Sequence, residues 1–188
     1  MIKTRFGFTL METIIVIGII SLILPIIFSI VFSITRQQAK VYVLSTVKRE
    51  GDNALSVIEN LIRNNAVGIY SDQTLLSQVC TTISYDGSNG SSFYFSDKDG
   101  NWFNFKTTTD TGLLKIASNS SVLNSVIDLT STKNTQISSF NISCDQTSSI
   151  TSPIVSIQFT IAQKQTTSTR VEDLASLNYS TKIKLRSY

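Results

Sequence analysis

The sequence contains no histidine. Without an imidazole the chain cannot form a Ser-His-Asp or Cys-His nucleophile arrangement or the usual zinc sites. Asp and Glu together number 13 in 188 residues, and they lie in predicted turns or on a predicted helix surface rather than in pairs. No general acid and base pair stands out. We therefore expect no catalytic residue, no metal site and no cofactor, and we interpret the protein as a non-enzyme.

Charge is scarce as well. Charged residues make up 15% of the chain, and the formal net charge is +3. Nucleic-acid binding by charge alone needs a strong basic patch or stripe, and this balance does not supply one. We expect no nucleic-acid partner. The length fits one membrane anchor followed by one domain of ordinary size.

Long hydrophobic runs are not lacking. Residues Thr13 to Thr35 carry no charge, and as a helix they would span roughly 35 Å, enough to cross a bilayer core. A secretory signal peptide has a shorter apolar region that ends in a small-residue cleavage site, and neither feature is present. Lys3 and Arg5 precede the run, so the positive-inside rule places the N-terminus in the cytoplasm. This predicts a single-pass membrane protein with an exported head.

Glu12 lies directly before this run, and an ordinary anchor does not explain it. A carboxylate at the centre of a membrane helix costs about 2.5–3.5 kcal/mol, and less near an end. The side chain of Arg5 can extend toward it from about two helical turns away. If the chain were cut after Gly7, the new α-amino group of Phe8 could instead pair with Glu12 of a neighbouring chain.

The string Gly7–Glu12, followed by about twenty apolar residues, resembles the prepilin processing site of type IV pilins and type II secretion pseudopilins. The resemblance covers Lys3 to about Ile34. It implies that a membrane prepilin peptidase removes residues 1–7 after Gly7, that Phe8 is then N-methylated, and that Glu12 acts in assembly. Removing Lys3 and Arg5 leaves a side-chain charge of 3 − 2 = +1.

The same resemblance implies the partners and the location. The partners would be other pilin or pseudopilin subunits and an inner-membrane assembly platform. The head would be periplasmic or extracellular, and the subunit would enter a pilus or pseudopilus. A β-rich head of this size is similar to J-type minor pseudopilins and related minor pilins. Pro25 comes a few residues before the family's usual proline, and Gly18 is either a helix-packing point or a tolerated membrane glycine.

Residues 36–66 are predicted to continue the helix of residues 8–35 into water. Apolar residues recur there at three- and four-residue steps, which is typical of a helix packed on a core through one face. The stripe consists of Leu44, Val47, Gly51, Ala54, Leu55, Ile58, Leu61 and Ile62. Gly51 lies on the stripe, where a missing side chain would let another backbone approach closely.

Residues 67–188 are predicted to form a β-rich head, because the apolar period changes to two after Asn65. The predicted strands are 92–95, 102–106, 137–144, 155–161 and 181–185, and the polar residues 163–176 connect the last two. Asp97–Asn101 is predicted to be a hairpin turn and Asp86–Gly90 a second loop. The predicted fold class is α+β, with a long N-terminal helix packed on an antiparallel β-sheet head.

Cys80 and Cys144 are the only cysteines, and both fall in the exported part. A disulfide can form and persist there. A bridge between them would close a loop of about 65 residues and could stabilise the head by roughly 4 kcal/mol. The alternative is a pair of buried free thiols.

Two further patterns in the sequence bear on function. Asp97, Asp99 and Asn101 have the spacing that opens a calcium loop, but Trp102 stands where that loop needs glycine, so we favour the hairpin turn. A basic group near the C-terminus would suit a rival role, a membrane-anchored binding module that never polymerises, such as one that captures DNA. That group consists of Lys164, Arg170, Lys182, Lys184 and Arg186.

Overall fold

The computed structural model describes residues 9–80, 93–146, 151–165 and 174–185, together with the backbone of 83–86. The predicted leader of residues 1–7, Phe8, the loop at 87–90, Arg170 and Arg186 lie outside the described residues. The chain divides into two structural units, Met1–Tyr42 and Val43–Tyr188.

Helix α1 runs from Leu10 to Asn65 and takes part in both units. Its last residue is one short of the predicted end, and Ala66 N–H still donates to the carbonyl of Ile62 at 3.0 Å. Pro25 lies inside the helix without ending it.

Within the described part of the chain, nine strands follow the helix and form two antiparallel sheets. The strands are β1 Gly68–Tyr70, β2 Ile83–Asp86, β3 Tyr94–Ser96, β4 Trp102–Asp110, β5 Leu113–Ser120, β6 Val126–Asp128, β7 Thr135–Asp145, β8 Ile154–Gln163 and β9 Ser176–Lys184. The first sheet has the order β1-β3-β4-β5-β6 and the second the order β2-β7-β8-β9. The division of the head into two sheets was not predicted from the sequence.

The core of the head lies between the second part of α1 and the two sheets. The helix contributes its small and branched residues Val47, Ala54, Ile58 and Ile62, all of them buried. The sheets contribute mostly aromatic and β-branched side chains, which suit a pleated, half-buried surface. The largest of these are Phe95, Phe103, Phe105, Phe140, Phe159, Ile69, Ile116, Ile137, Ile142, Ile157, Ile161 and Ile183.

The apolar stripe of the helix is buried along its central line and exposed at one end. Leu55 and Leu61 are half-buried and pack against the core, as the stripe predicted, whereas Leu44 is exposed and that part of the prediction is wrong. Leu44 lies one residue past the start of the head unit. The α+β class with a long N-terminal helix on antiparallel sheets is confirmed.

Candidate functional site

The first turn of α1 has a defined cap. The backbone N–H of Glu12 donates to Thr9 Oγ1 at 3.4 Å and to the Thr9 carbonyl at 3.1 Å, and the N–H of Thr13 donates to the Thr9 carbonyl at 3.3 Å. Thr9 is therefore the N-cap residue and Glu12 stands at the third helical position, the spacing of a capping box. This capping role was not predicted from the sequence, although the Thr9-x-x-Glu12 spacing is present in the string.

The helix that Thr9 caps carries an apolar surface that nothing in the described chain covers. Its large apolar residues between Leu10 and Ile34 are 41% to 77% exposed. This helix is long and apolar enough to cross a membrane, and its most apolar stretch has no buried residue. Exposed apolar area of this extent requires lipid or other protein chains as its environment.

Three hydroxyl groups of this apolar stretch bond to carbonyls of the preceding turn. The hydroxyls of Thr13, Ser21 and Thr35 donate to the carbonyls of Leu10, Gly18 and Val31, each at 2.8 Å. Such bonds to the preceding turn remove the cost of placing a hydroxyl in hydrocarbon. A methyl group added at Gly18 would meet no atom within 4 Å, so within one chain Gly18 is not a packing point.

The other predicted site residues at this end are Gly7, Phe8, Lys3 and Arg5. They lie outside the described residues, so the cation that pairs with Glu12 stays a prediction.

Cys80 and Cys144 are joined by a disulfide, with their Cα atoms 5.2 Å apart and 64 positions of sequence between them. That Cα separation falls in the usual range for a disulfide. Cys144 is in β7, directly opposite Ile83 of β2. The bridge therefore fixes the chain just before β2 to the strand with which β2 pairs.

The last strand and the helix meet at Gly51. A methyl group there would lie 2.3 Å from Cε2 and 2.5 Å from Cζ of Tyr179, so the missing side chain admits an aromatic ring rather than the backbone that the sequence predicted. The Tyr179 hydroxyl is 3.0 Å from the carbonyl of Lys48 and 3.1 Å from Oδ1 of Asp52. Its ring stacks on Phe159 with centroids 4.9 Å apart.

This contact perturbs the tyrosine. Burial, followed by the hydrogen bond to Asp52 and the charge of that carboxylate, raises the pKa of Tyr179 to about 12. Two residues along β9, the hydroxyl of Thr181 donates to Oε1 of Glu59. The strand is thus held to the helix by polar contacts as well as by its apolar face.

The calcium-like string forms the turn between β3 and β4. Oδ1 of Asp97 accepts hydrogen bonds from the backbone N–H groups of Asp99 at 2.9 Å and Asn101 at 2.8 Å. Gly100 has φ +79°, which a glycine adopts without strain. The predicted hairpin turn is confirmed, and no cluster of three or more His, Cys, Asp or Glu suited to a metal occurs among the residues described.

Of the basic group, Lys182 and Lys184 are exposed on β9 and lie opposite Ser156 and Ile154 of β8. These two neighbours carry no aromatic ring. The DNA-capture alternative also depends on Arg170 and Arg186, which lie outside the described residues, so it stays a prediction. Neither a protein-family model, a curated protein nor a solved structure matches the chain.

Proposed function

We propose that the protein is a structural, membrane-anchored subunit of the prepilin type, with its N-terminus in the cytoplasm and its head exported. The observation that carries the proposal is the Gly7–Glu12 string placed directly before the apolar residues of α1. Residues 1–7 would be removed by a prepilin peptidase and Phe8 would be N-methylated. The processed chain would join a type IV pilus or a type II secretion pseudopilus as a minor component.

The uncovered apolar surface supports this proposal. A single membrane-spanning helix needs only lipid around it, and it does not need an acidic residue at its edge. A subunit of a helical bundle exchanges lipid for the helices of its neighbours, and in that exchange a buried carboxylate can be paired with a buried amine. Glu12 beside the apolar surface of α1 suits the second environment.

Capping of the helix explains only part of the role of the Glu12 side chain. In a capping box, the side chain at the third helical position accepts a hydrogen bond from the backbone N–H of the N-cap residue. Glutamine can accept this bond as well as glutamate. The negative charge also suits the positive end of the helix dipole, typically by 0.3–1 kcal/mol. Glutamine would cap the helix without placing a charge at the edge of the apolar run, so we infer that the charge of Glu12 has a second role in assembly.

Cleavage is the most direct test of the proposal. The mass and N-terminal sequence of the protein would be measured after expression in cells with and without a prepilin peptidase. We expect a chain that begins at methylated Phe8 only where the peptidase is present, and an uncut chain for Gly7→Val, whose branched side chain obstructs the cut. A terminus at Met1 in both strains, or a cut after Pro25, would contradict the proposal.

A further inference from the structure

The first sheet of the head has an outer face, opposite the core, that carries three aromatic side chains. Tyr70 of β1 pairs with Tyr94 of β3, and Tyr94 pairs with Asn104 of β4. Directly paired residues share one face of a sheet, and alternate residues of a strand do so too. Trp102 therefore lies on this face beside Asn104. We call Tyr70, Tyr94, Trp102 and Asn104 the aromatic face.

The three rings are half-buried and held in defined positions. The rings of Tyr94 and Trp102 meet edge to face, with centroids 5.3 Å apart and planes at 88°. Nε2 of Gln73 donates to the Tyr94 hydroxyl at 3.2 Å. The ring of Tyr70 folds back over Gly68, where an added methyl group would lie 2.9 Å from its Cε2.

Asn104 is the feature of this face that folding alone does not explain. It is 8% exposed, yet its Oδ1 accepts no hydrogen bond from any residue that the structure describes. A buried amide oxygen without a donor lowers stability, and native proteins keep few of them. A leucine of similar size would avoid that cost, so the oxygen points to a donor that arrives from outside the chain.

The charged residues near the aromatic face indicate which class of ligand would donate to Oδ1 of Asn104. Lys106 follows Asn104 by two residues on the same face, and Lys115 is held by Asp128, with Nζ 2.6 Å from Oδ2. Single-stranded nucleic acids also stack on aromatic side chains, but their phosphates require a groove rich in unpaired cations. A ligand that offers apolar ring faces and neutral hydroxyl donors fits the aromatic face better.

We propose that the aromatic face binds a neutral oligosaccharide. The apolar C–H face of a pyranose ring packs on an aromatic ring, as sugars do on other β-sheet proteins that bind them. Its hydroxyl groups donate to Oδ1 of Asn104 and bond with the amide of Asn119, the partner of Asn104 in β5. Because Asn104 is buried, one of its flanking side chains has to move when the sugar binds. This site is independent of pilus or pseudopilus assembly.

The chain carries its own reporter, since Trp102 is its single tryptophan. The full, uncleaved chain in a detergent without a sugar headgroup would be titrated with soluble hexasaccharides of glucose, galactose and N-acetylglucosamine, and separately with oligothymidylate. We expect a saturable change in Trp102 fluorescence with at least one hexasaccharide and none with oligothymidylate. No response to any of the three sugars, or a response to oligothymidylate alone, would overturn the proposal.

Two matched amide variants separate binding from folding. Asn104→Leu should weaken sugar binding about tenfold without lowering Tm, because leucine fills the site and removes the unpaired oxygen. Asn141 also has an unpaired Oδ1, but it lies on β7 of the other sheet, so Asn141→Leu should bind the sugar as the parent chain does. Parent-like affinity in Asn104→Leu, or equal weakening in both variants, would also reject the proposal.

Discussion

At the scale of single residues, Gly51 and Tyr179 show how the helix and the last strand are fixed together. The glycine weakens the helix by about 1 kcal/mol relative to alanine. In return, the tyrosine ring reaches the helix backbone, where its hydroxyl bonds to Lys48 and Asp52. Phe159 supports the ring from below by stacking. Gly51 has the lowest helix propensity on the stripe, yet the Tyr179 ring can pack there only because Gly51 has no side chain.

We predict that Gly51→Ala destabilises the head by about 1–2 kcal/mol. Overpacking typically costs 1–3 kcal/mol, and the better helix propensity of alanine offsets part of it. The loss would be seen as a lower Tm of the full chain in detergent. Gly18→Ala is the matched control, since an added methyl group meets nothing there and the Tm of the head should not change.

A double variant tests whether the stability lost in Gly51→Ala comes from a clash with the Tyr179 ring. In a Tyr179→Leu background the clash is gone, so adding Gly51→Ala should cost little or nothing further. If the two substitutions lower stability additively, Gly51 acts through the helix backbone and not through Tyr179.

The raised pKa of Tyr179 predicts how the stability of the head changes at high pH. Its pKa is raised from 10.0 to about 12 in the folded chain, so the neutral phenol is favoured by folding. The resulting stability is fully present below pH 10 and is lost as the pH rises through about 12. Tyr179→Phe should be about 1 kcal/mol less stable at neutral pH, where it lacks the hydrogen bonds, and should lose less stability between pH 10 and 12. Urea unfolding across this range checks the prediction, and parallel curves for the two proteins would contradict it.

At the scale of elements, the disulfide holds the shortest strand of the second sheet, β2, next to β7. β2 is a four-residue edge strand whose only neighbour in that sheet is β7. Because Cys80 lies just before β2 and is joined to Cys144 of β7, the bridge keeps β2 next to its partner. The other pairs of this sheet are longer, with nine or more paired positions each.

We predict that Cys80→Ser with Cys144→Ser lowers the stability of the head by about 4 kcal/mol in the chain-entropy model. Hydrogen exchange should show the order of the loss, with amides of β2 exchanging much faster while those of β8 keep part of their protection. Simultaneous loss of protection in β2 and β8 would show that the bridge supports the whole sheet instead.

The strands also show what the sequence could reveal. β8 was predictable because its branched and aromatic residues alternate with polar ones from Val155 to Ile161, and parts of β4 and β7 show the same alternation. In β7 the alternation is interrupted by an irregularity between Ile137 and Ser139. β5 was missed because it buries the neighbours Ile116 and Ala117, which point to opposite faces and break the alternation. The three-residue strands β1 and β6 are too short to show a period.

The division into two sheets depends on pairing between distant strands. β1 pairs with β3 and β2 pairs with β7, and no local pattern reports such a choice. The residues of the candidate site also fall into two groups, those that the sequence revealed and those that only the structure revealed. Glu12 and the two cysteines were visible because their chemistry is unusual in their context. The unpaired oxygen of Asn104 and the ring of Tyr179 over Gly51 became visible only when the cross-strand register was known.

At the scale of the whole molecule, the apolar residues fall into two populations. Those of the Val43–Tyr188 unit are mostly buried with one another, whereas those between Leu10 and Ile34 are exposed. The head thus forms its core without the first part of α1. Substitutions near Glu12 should leave the folding of the head intact, which allows assembly to be tested separately from stability.

We predict that Glu12→Gln and Glu12→Ala both insert in the membrane and are both cleaved after Gly7, yet both fail to join a filament. A carboxylate four residues from the new amino terminus is poorly placed to pair with its own chain along a rigid helix. A neighbour displaced along the filament axis can supply its amine at the same depth, where the low dielectric strengthens the pair. Removing the carboxylate leaves that amine buried and unpaired, which is costly. Crosslinking and co-purification with partner pilins in cells that hold the peptidase would measure incorporation.

The glutamine variant decides between the two roles of Glu12. Glutamine is a good third residue of a capping box, so a role limited to capping predicts that Glu12→Gln assembles normally while Glu12→Ala does not. A role that depends on charge predicts that both fail alike. Thr9→Ala completes the set, because it removes the Oγ1 that accepts from the Glu12 N–H but keeps the carboxylate. We expect this variant to keep most of its incorporation, since a frayed first turn still presents the charge that a neighbouring amine requires.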